Sequence, residues 1–134
     1  MIEENKRNNI HDELDKSSEI LQEAELLYNN GFINGAVSRL YYSSFHTVRA
    51  LLLSRGLEPK SHEGALRLFG LHFIKKGVFE TKYSHIFSRL MKYREEADYN
   101  PSYMFTQEDV LEFKKDAKEL LDKIRMYLTE KGYL

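Results

Sequence analysis

Two arginines, a histidine and a tyrosine with helical spacing are the first candidates for chemistry in this sequence. Arg39 and His46 are seven residues apart, which is two helical turns, so their side chains point the same way. Tyr42 lies between them, and Arg49 follows about one turn later. Arginine beside a neutral histidine suits metal-free cleavage of RNA, because arginine neutralises the phosphate and histidine moves the proton of a ribose 2′-hydroxyl. The alternative is an oligomer interface containing Tyr42, His46 and Arg49, since arginine and tyrosine are enriched at interfaces.

A second candidate group is REEADY, residues 94–99. Arg94 and Asp98 are four residues apart and can pair on a helix surface. Tyr99 and Tyr103 flank Pro101 in the segment that follows. The group is either a ligand site or a helix end held by a salt bridge, with the tyrosines packed on the protein.

A third candidate is KSHEG, residues 60–64. Ser61 is a plausible N-cap, and His62 and Glu63 fall in the exposed first turn of the helix that it begins. The free backbone N–H groups of a helix N-terminus also attract anions. Anion binding and plain capping both fit this segment.

The sequence lacks the signatures of other kinds of functional site. The sequence has no cysteine, and its five histidines show no paired spacing with a nearby acid, so we expect no metal site and no cofactor. No P-loop, dinucleotide-binding glycine pattern or serine nucleophile elbow is present.

Composition narrows the class of protein. A chain of 134 residues with 31% charged residues fits one soluble domain, residues 1–134. The formal net charge of −1 lacks the basic excess of a dedicated duplex-DNA binder. No apolar run is long enough for a membrane span, and the polar N-terminus has no signal-peptide core, so we expect a cytoplasmic location.

The elements that must position these residues are helices. Helical periodicity covers nearly the whole chain, and no convincing strand pattern occurs. Gly31, Gly56 and Gly77 are suitable helix stops, and Ser61 and Thr106 are suitable N-caps. These signals predict an all-α up-and-down bundle of four to five helices, over residues 9–30, 33–55, 61–76, 81–96 and from 106 onward.

The predicted helix over residues 33–55 has two occupied faces. One stripe is small and mostly aliphatic, as a core-facing stripe should be: Ile33, Val37, Leu40, Ser44, Val48 and Leu51. The nearly opposite side carries Arg39, Tyr42, His46, Arg49 and Leu53, with no acid. An ordinary surface helix would place lysine and glutamate there, so we expect this second face to contact something other than water.

Taken together, three segments resemble the HEPN family (higher eukaryotes and prokaryotes nucleotide-binding domain). They are AVSRLYYSSFHTVRALL at residues 36–52, KSHEG at 60–64, and REEADY at 94–99 before a long last helix. The resemblance implies a five-helix bundle that forms a homodimer. It also implies a minimal nucleotidyltransferase as the partner in a toxin-antitoxin-like pair, and a nucleotide or RNA as the ligand.

Many HEPN proteins are metal-independent ribonucleases with the signature R-x4-6-H. Alignment of the flanking helices places Arg94 on the signature arginine, but Tyr99 on its histidine and Glu95 on the usual asparagine. A phenol cannot replace imidazole as a base at neutral pH. The resemblance therefore implies a binding module with little or no catalysis, whose ligand-binding residues are Lys60, His62, Asp98 and Tyr99.

Two further expectations follow from the resemblance. In the family, some toxins are silenced when the partner transfers AMP to a tyrosine near the signature, which makes Tyr99 and Tyr103 candidates for modification. Arg39 and His46 also match R-x4-6-H formally, so the alternative function is a metal-independent ribonuclease using Arg39 and His46, with Arg94.

Overall fold

The structure, a computed structural model, describes residues 2–134 and contains five α-helices with no β-strand in that range. The helices are α1 (Ile2–Asn29), α2 (Ile33–Leu53), α3 (His62–Phe69), α4 (Thr81–Tyr99) and α5 (Gln107–Glu130), and a π-helical turn (Gly70–Ile74) extends α3. The predicted all-α helical bundle is confirmed. No helix among these residues is both long enough and apolar enough to cross a membrane.

Helix α2 lies at the centre of the bundle and packs against α1, α3, α4 and α5. Its predicted core stripe is buried from Val37 to Leu51, and Ile33 at its start is half-buried and packs against the core. The buried residues of α4 and α5 follow the same helical spacing, and the aromatic rings of Phe69, Phe73 and Phe87 are fully buried beside them. Most stability of such helices comes from burial of these faces.

Three element boundaries differ from the sequence-based expectation. Helix α4 continues to Tyr99 and does not end near residue 96, so residues 97–99, which were expected in a loop, are helical. Helix α1 begins at Ile2 and not at residue 9, because glutamate, lysine and arginine extend a helix without any apolar stripe. Helix α3 leaves α-helical geometry at Gly70, where a π-helical turn continues to Ile74. Lys75 N–H closes that turn on the carbonyl of Gly70 at 2.8 Å.

The predicted caps and stops are confirmed. Gly31 has a φ of 83°, a left-handed conformation that ends α1 and lets Phe32 N–H bond the Leu27 carbonyl at 2.8 Å. Ser61 Oγ accepts the Gly64 N–H at 2.8 Å. Thr106 forms a capping box with Asp109 at the start of α5.

A buried hydroxyl network joins α1 to α2. Ser17 Oγ lies 2.7 Å from Thr47 Oγ1, and Ser43 Oγ donates to the Ser17 carbonyl at 2.9 Å. Thr47 in turn donates to the Ser43 carbonyl at 3.0 Å. Since every hydroxyl in this set has a partner, the network fixes the axial register of α1 on α2 at little energetic cost.

Candidate functional site

The middle of α2, the start of α3 and the end of α4 meet around an open cleft. Its lining residues are Tyr42, His62, Arg94, Glu95, Glu96, Tyr99 and Asn100. We call it the Arg94 cleft. Residues from all three predicted candidate groups therefore meet at one place, although they come from segments far apart in the sequence.

Arg94 is a buried cation with few partners. Its side chain is 8% exposed, and its closest carboxylate is Asp98, at 3.9 Å from Nη1 to Oδ2, which is longer than a hydrogen bond. Within residues 2–134, the buried Nε atom has no hydrogen-bond partner. Buried charged groups are normally paired and hydrogen-bonded, so Arg94 retains unused capacity to bind an anion.

Tyrosine rings surround the Arg94 guanidinium and partly offset its burial. Its Cζ atom lies 5.3 Å from the ring centroid of Tyr41, 5.7 Å from that of Tyr42 and 5.8 Å from that of Tyr99. These distances are within the range of cation–π attraction. Tyr99 is 73% exposed, so its ring is available to stack on a planar ligand above the guanidinium.

His62 is held at the cleft by Tyr41. The Tyr41 hydroxyl lies 2.6 Å from His62 Nδ1, and Tyr41 is completely buried. Burial lowers the pKa of His62, and the Arg94 charge lowers it further, against the opposing effect of Glu63 and Glu95. Burial likewise raises the pKa of Tyr41, so the imidazole is neutral and the phenol protonated at neutral pH.

The cleft also carries carboxylates among its lining residues. Asn100 Nδ2 donates to Glu96 Oε2 at 3.0 Å, and the Glu95 side chain is exposed. A phosphate is therefore attracted to Arg94 and His62 but repelled by the glutamates. The carboxylates can accept N–H groups from the edge of a base, so the arrangement suits a ligand with both an anionic and a donor-bearing part.

The second face of α2 meets the carboxylates of α1. His46 Nδ1 lies 2.7 Å from Glu13 Oε2, and Arg49 Nε lies 3.9 Å from the same oxygen. Arg39 Nη1 lies 3.4 Å from Glu23 Oε1. The acids that α2 lacks are thus supplied by its neighbour, which explains what contacts this face within one chain.

The structure brings some predicted residues together and separates others. His62, Arg94, Tyr99 and Tyr42 line the cleft, and Asp98 lies beside Arg94. Arg39 lies next to this group, with its Cζ 5.6 Å from the Tyr42 ring centroid. The lining does not include Lys60, which is exposed before α3, Tyr103, which is exposed beside Phe105, or His46 and Arg49.

The sequence pattern did not point to two residues that hold side chains in this region. Tyr41 holds His62, and Glu13 holds His46. Tyr41 falls between the two faces assigned to α2. A buried tyrosine hydroxyl requires a hydrogen-bond partner, and this requirement could have indicated that Tyr41 holds another polar side chain. Glu13 gave no comparable signal, because it is one of many acids in the first helix.

No group of three or more histidine, aspartate or glutamate side chains is placed to hold a metal ion among residues 2–134. The groups that the cleft offers are therefore arginine, a neutral histidine, aromatic rings and carboxylates. Chemically, this set can bind a phosphate-bearing ligand through hydrogen bonds, charge and stacking.

The chain is thus an all-α bundle in which a buried arginine, a histidine and aromatic rings line a cleft where three helices meet. The family model described as "HEPN domain" matches residues 10–127, and the chain belongs to the HEPN family. A protein of Methanocaldococcus jannaschii named "Putative toxin MJ0142" is 34% identical over 90% of this chain and 82% of its own length.

Two other relatives cover similar shares. "Putative toxin MJ0605" from the same organism is 35% identical over 85% of this chain and 84% of its own length. A "UPF0332 protein" of Thermotoga maritima is 32% identical over 86% of this chain and 87% of its own length. Relatives of this HEPN chain thus include two proteins named as putative toxins.

Proposed function

We propose that this HEPN protein binds the phosphate of a nucleotide or of RNA in the Arg94 cleft, as the toxin-like member of a pair with a nucleotidyltransferase. The observation that carries the proposal is Arg94 itself, whose side chain is only 8% exposed, whose Nε has no hydrogen-bond partner in the part of the chain that the structure describes, and whose closest carboxylate oxygen is 3.9 Å away. A buried cation in this condition is costly to the fold, and ligand binding supplies the missing partner.

The neighbours of Arg94 support a nucleotide rather than a bare anion. Exposed Tyr99 and half-buried Tyr42 present ring faces beside the guanidinium. Stacking on aromatic rings is tolerant of base identity and contributes about 1–3 kcal/mol per base. A ligand with a phosphate and a base uses both kinds of contact at once.

Titration calorimetry with the purified chain tests the proposal, with AMP, ADP and a short single-stranded oligoribonucleotide as probes. Charge-assisted hydrogen bonds contribute about 1.5–3 kcal/mol, so Arg94→Gln should weaken binding of the preferred probe by roughly 10–100-fold. The log of the RNA affinity should fall linearly with log salt, with a shallower slope in the variant.

Arg89→Gln is the matched control, because Arg89 is on the same helix and pairs with Asp116 on α5, outside the cleft. It removes the same charge by the same substitution. Because Arg89 is exposed and salt screens its charge, Arg89→Gln should change the affinity by no more than about twofold. Equal weakening by both variants, or no binding of any probe, contradicts the proposal.

A homodimer and a nucleotidyltransferase partner are part of the proposal. We expect the dimer surface to include Tyr42, His46 and Arg49, although Glu13 already contacts the last two within the chain. Sedimentation at tens of micromolar should show a dimer, and Tyr42→Arg should shift it toward the monomer. A wild-type monomer at that concentration contradicts this part.

The proposal includes regulation by transfer of AMP to Tyr99 or Tyr103. Both hydroxyl-bearing rings are accessible, at 73% and 44% exposure. Transfer would join the α-phosphate of ATP to the phenol oxygen, with release of pyrophosphate and the phenol proton. Intact mass after incubation with a cognate nucleotidyltransferase and ATP should rise by one AMP in the wild type but not in the double phenylalanine variant.

One contact favours a second candidate function, a metal-independent ribonuclease that uses Arg39 and His46, with Arg94. Glu13 orients the His46 imidazole at 2.7 Å, as the carboxylate of a catalytic histidine does. Structured RNA incubated in chelator should then yield a cyclic phosphate and a 5′-hydroxyl. Cleavage that is absent, or that persists unchanged in His46→Ala, rules this candidate out.

A further inference from the structure

We propose that the Tyr41 hydroxyl fixes His62 in the tautomer whose proton is on Nε2, which makes His62 a hydrogen-bond donor in the Arg94 cleft and not a general base. Tyr41 is then a positioning residue that acts through His62. The role of the donor toward a phosphate oxygen rests on the proposed function, whereas the tautomer does not.

The hydrogen bonds available to the Tyr41 hydroxyl decide the tautomer of His62. The Tyr41 hydroxyl is 2.6 Å from His62 Nδ1, and in the described chain it has no other polar partner. If Nδ1 carried the proton and donated it to Tyr41, the phenolic hydrogen would be buried without an acceptor, because Tyr41 is 0% exposed. If the phenol donates to Nδ1, only an acceptor lone pair of the tyrosine stays unused, which costs much less.

The charges around His62 favour the neutral ring. Arg94 and Glu95 face it from α4, Tyr41 and the rings of Tyr42 and Phe45 face it from α2, and Glu63 follows it on α3. Burial and Arg94 outweigh the two glutamates and lower the pKa of His62. His62 is also the first residue of α3, and the positive end of a helix disfavours imidazolium.

The two ring nitrogens of His62 therefore have different roles. Nδ1 accepts the proton of Tyr41, so its lone pair is occupied. Nε2 carries a proton, has no hydrogen-bond partner within the chain that the structure describes, and belongs to a residue that lines the cleft. Such a ring can donate to a phosphate oxygen but has no free lone pair to take the proton of a ribose 2′-hydroxyl.

Nitrogen-15 NMR of the imidazole rings tests the tautomer without any ligand. At pH 7, His62 should show a pyridine-type shift at Nδ1 and a pyrrole-type shift at Nε2. Exposed His85 is an internal reference for a ring that Tyr41 does not hold. In Tyr41→Phe the two His62 shifts should move toward each other as both tautomers become populated.

Tyr83→Phe is the control, since it removes the hydroxyl of another buried tyrosine, 6% exposed and outside the cleft. It should leave the His62 shifts unchanged. A proton on Nδ1 in the wild type, or His62 shifts that ignore Tyr41→Phe, would overturn the proposal. The nitrogen-15 shifts report the tautomer whether or not any nucleotide binds.

Two substitutions of His62 test the donor. The amide nitrogen of glutamine can reach the position of Nε2, whereas the shorter asparagine side chain reaches only that of Nδ1. With AMP as the probe, His62→Asn and Tyr41→Phe should weaken binding about fivefold, and His62→Gln about twofold or less, as one neutral hydrogen bond implies.

The possible outcomes separate the two proposals. A wild type with the Nε2 proton that binds no AMP or RNA contradicts the proposed function and leaves the Tyr41–His62 tautomer standing. Binding that depends on Arg94 but is equal in His62→Gln and His62→Asn overturns the donor role, while the cleft keeps its function.

Discussion

Replacing Arg94 by methionine separates what this residue does for the fold from what it does for a ligand. Methionine keeps an unbranched side chain, which ends at about the position of the arginine Nε, and has no charge. We expect Arg94→Met to raise the free energy of unfolding and at the same time to weaken nucleotide binding at least as much as Arg94→Gln does. A residue retained only for structure would give the opposite result on stability.

The magnitude follows from the contacts of Arg94. Taking the guanidinium out of water costs several kcal/mol, of which a buried N–H without a partner accounts for about 1–3. The three tyrosine rings return roughly 0.5 kcal/mol each, because their centroids at 5.3–5.8 Å lie near the limit for cation–π attraction. The 3.9 Å pair with Asp98, which is 28% exposed, adds about 1 kcal/mol or less.

Methionine removes the cost of the buried charge and gains contacts of its sulfur with the same rings. We therefore expect the free energy of unfolding to rise by about 1–2 kcal/mol, as seen when buried ion pairs are replaced by apolar groups. For a chain of 134 residues this corresponds to an increase in Tm of roughly 3–10 °C.

Urea unfolding followed by far-ultraviolet circular dichroism measures the change, with the m-value as a check on two-state behaviour. Arg89→Met is the comparison, because it leaves half-buried Asp116 without its cation and should lower stability by about 0.5–1 kcal/mol. A loss of stability in Arg94→Met would refute the reasoning, since Arg94 would then stabilise the bundle through contacts worth more than its burial costs.

Three further predictions concern other parts of the molecule. Ser17→Ala should lower the free energy of unfolding by about 0.5–1.5 kcal/mol in urea, because it removes the hydrogen bonds of Ser17 Oγ to α2, while Thr47 still donates to the Ser43 carbonyl and Ser43 to the Ser17 carbonyl; an unchanged midpoint would contradict this. Asn34→Ala removes the two hydrogen bonds that fasten the α4–α5 loop to α2, so amide exchange should quicken over residues 100–106 but not in the middle of α5. Because the pKa of His62 is lower in the folded state than its ordinary 6.5, the unfolded chain binds more protons below that pH. The contribution of His62 to the free energy of unfolding should therefore fall as the pH drops through 6.5 and level off below the folded-state pKa. The pH-dependent fall in stability should be smaller in His62→Gln.

Much of the fold was predictable because helix formation and amphipathicity are local. The apolar residues of α2 recur every three or four positions, and that spacing alone assigns the core face from Val37 to Leu51. The stops and caps at Gly31, Ser61 and Thr106 were also readable, since each satisfies backbone groups within a few residues. The start of α1 was not readable, because its polar first turns have no apolar period.

The sequence by itself determined the helical bundle, the family resemblance and the three segments from which the candidate site is drawn. Only the tertiary structure decided which of their side chains meet. His62 and Arg94 share a cleft although 32 positions separate them, and His46, four positions after Tyr42, lies with Glu13 instead.

The physical reason is that a helical pattern fixes which way a side chain faces but not what faces it. Partners across a bundle depend on the rotation and axial register of each helix, and these are set by packing and by contacts such as the Ser17–Thr47 hydrogen bond. The burial of Arg94 and its shortage of hydrogen-bond partners are properties of that packing, so they appear only when all the helices are in place.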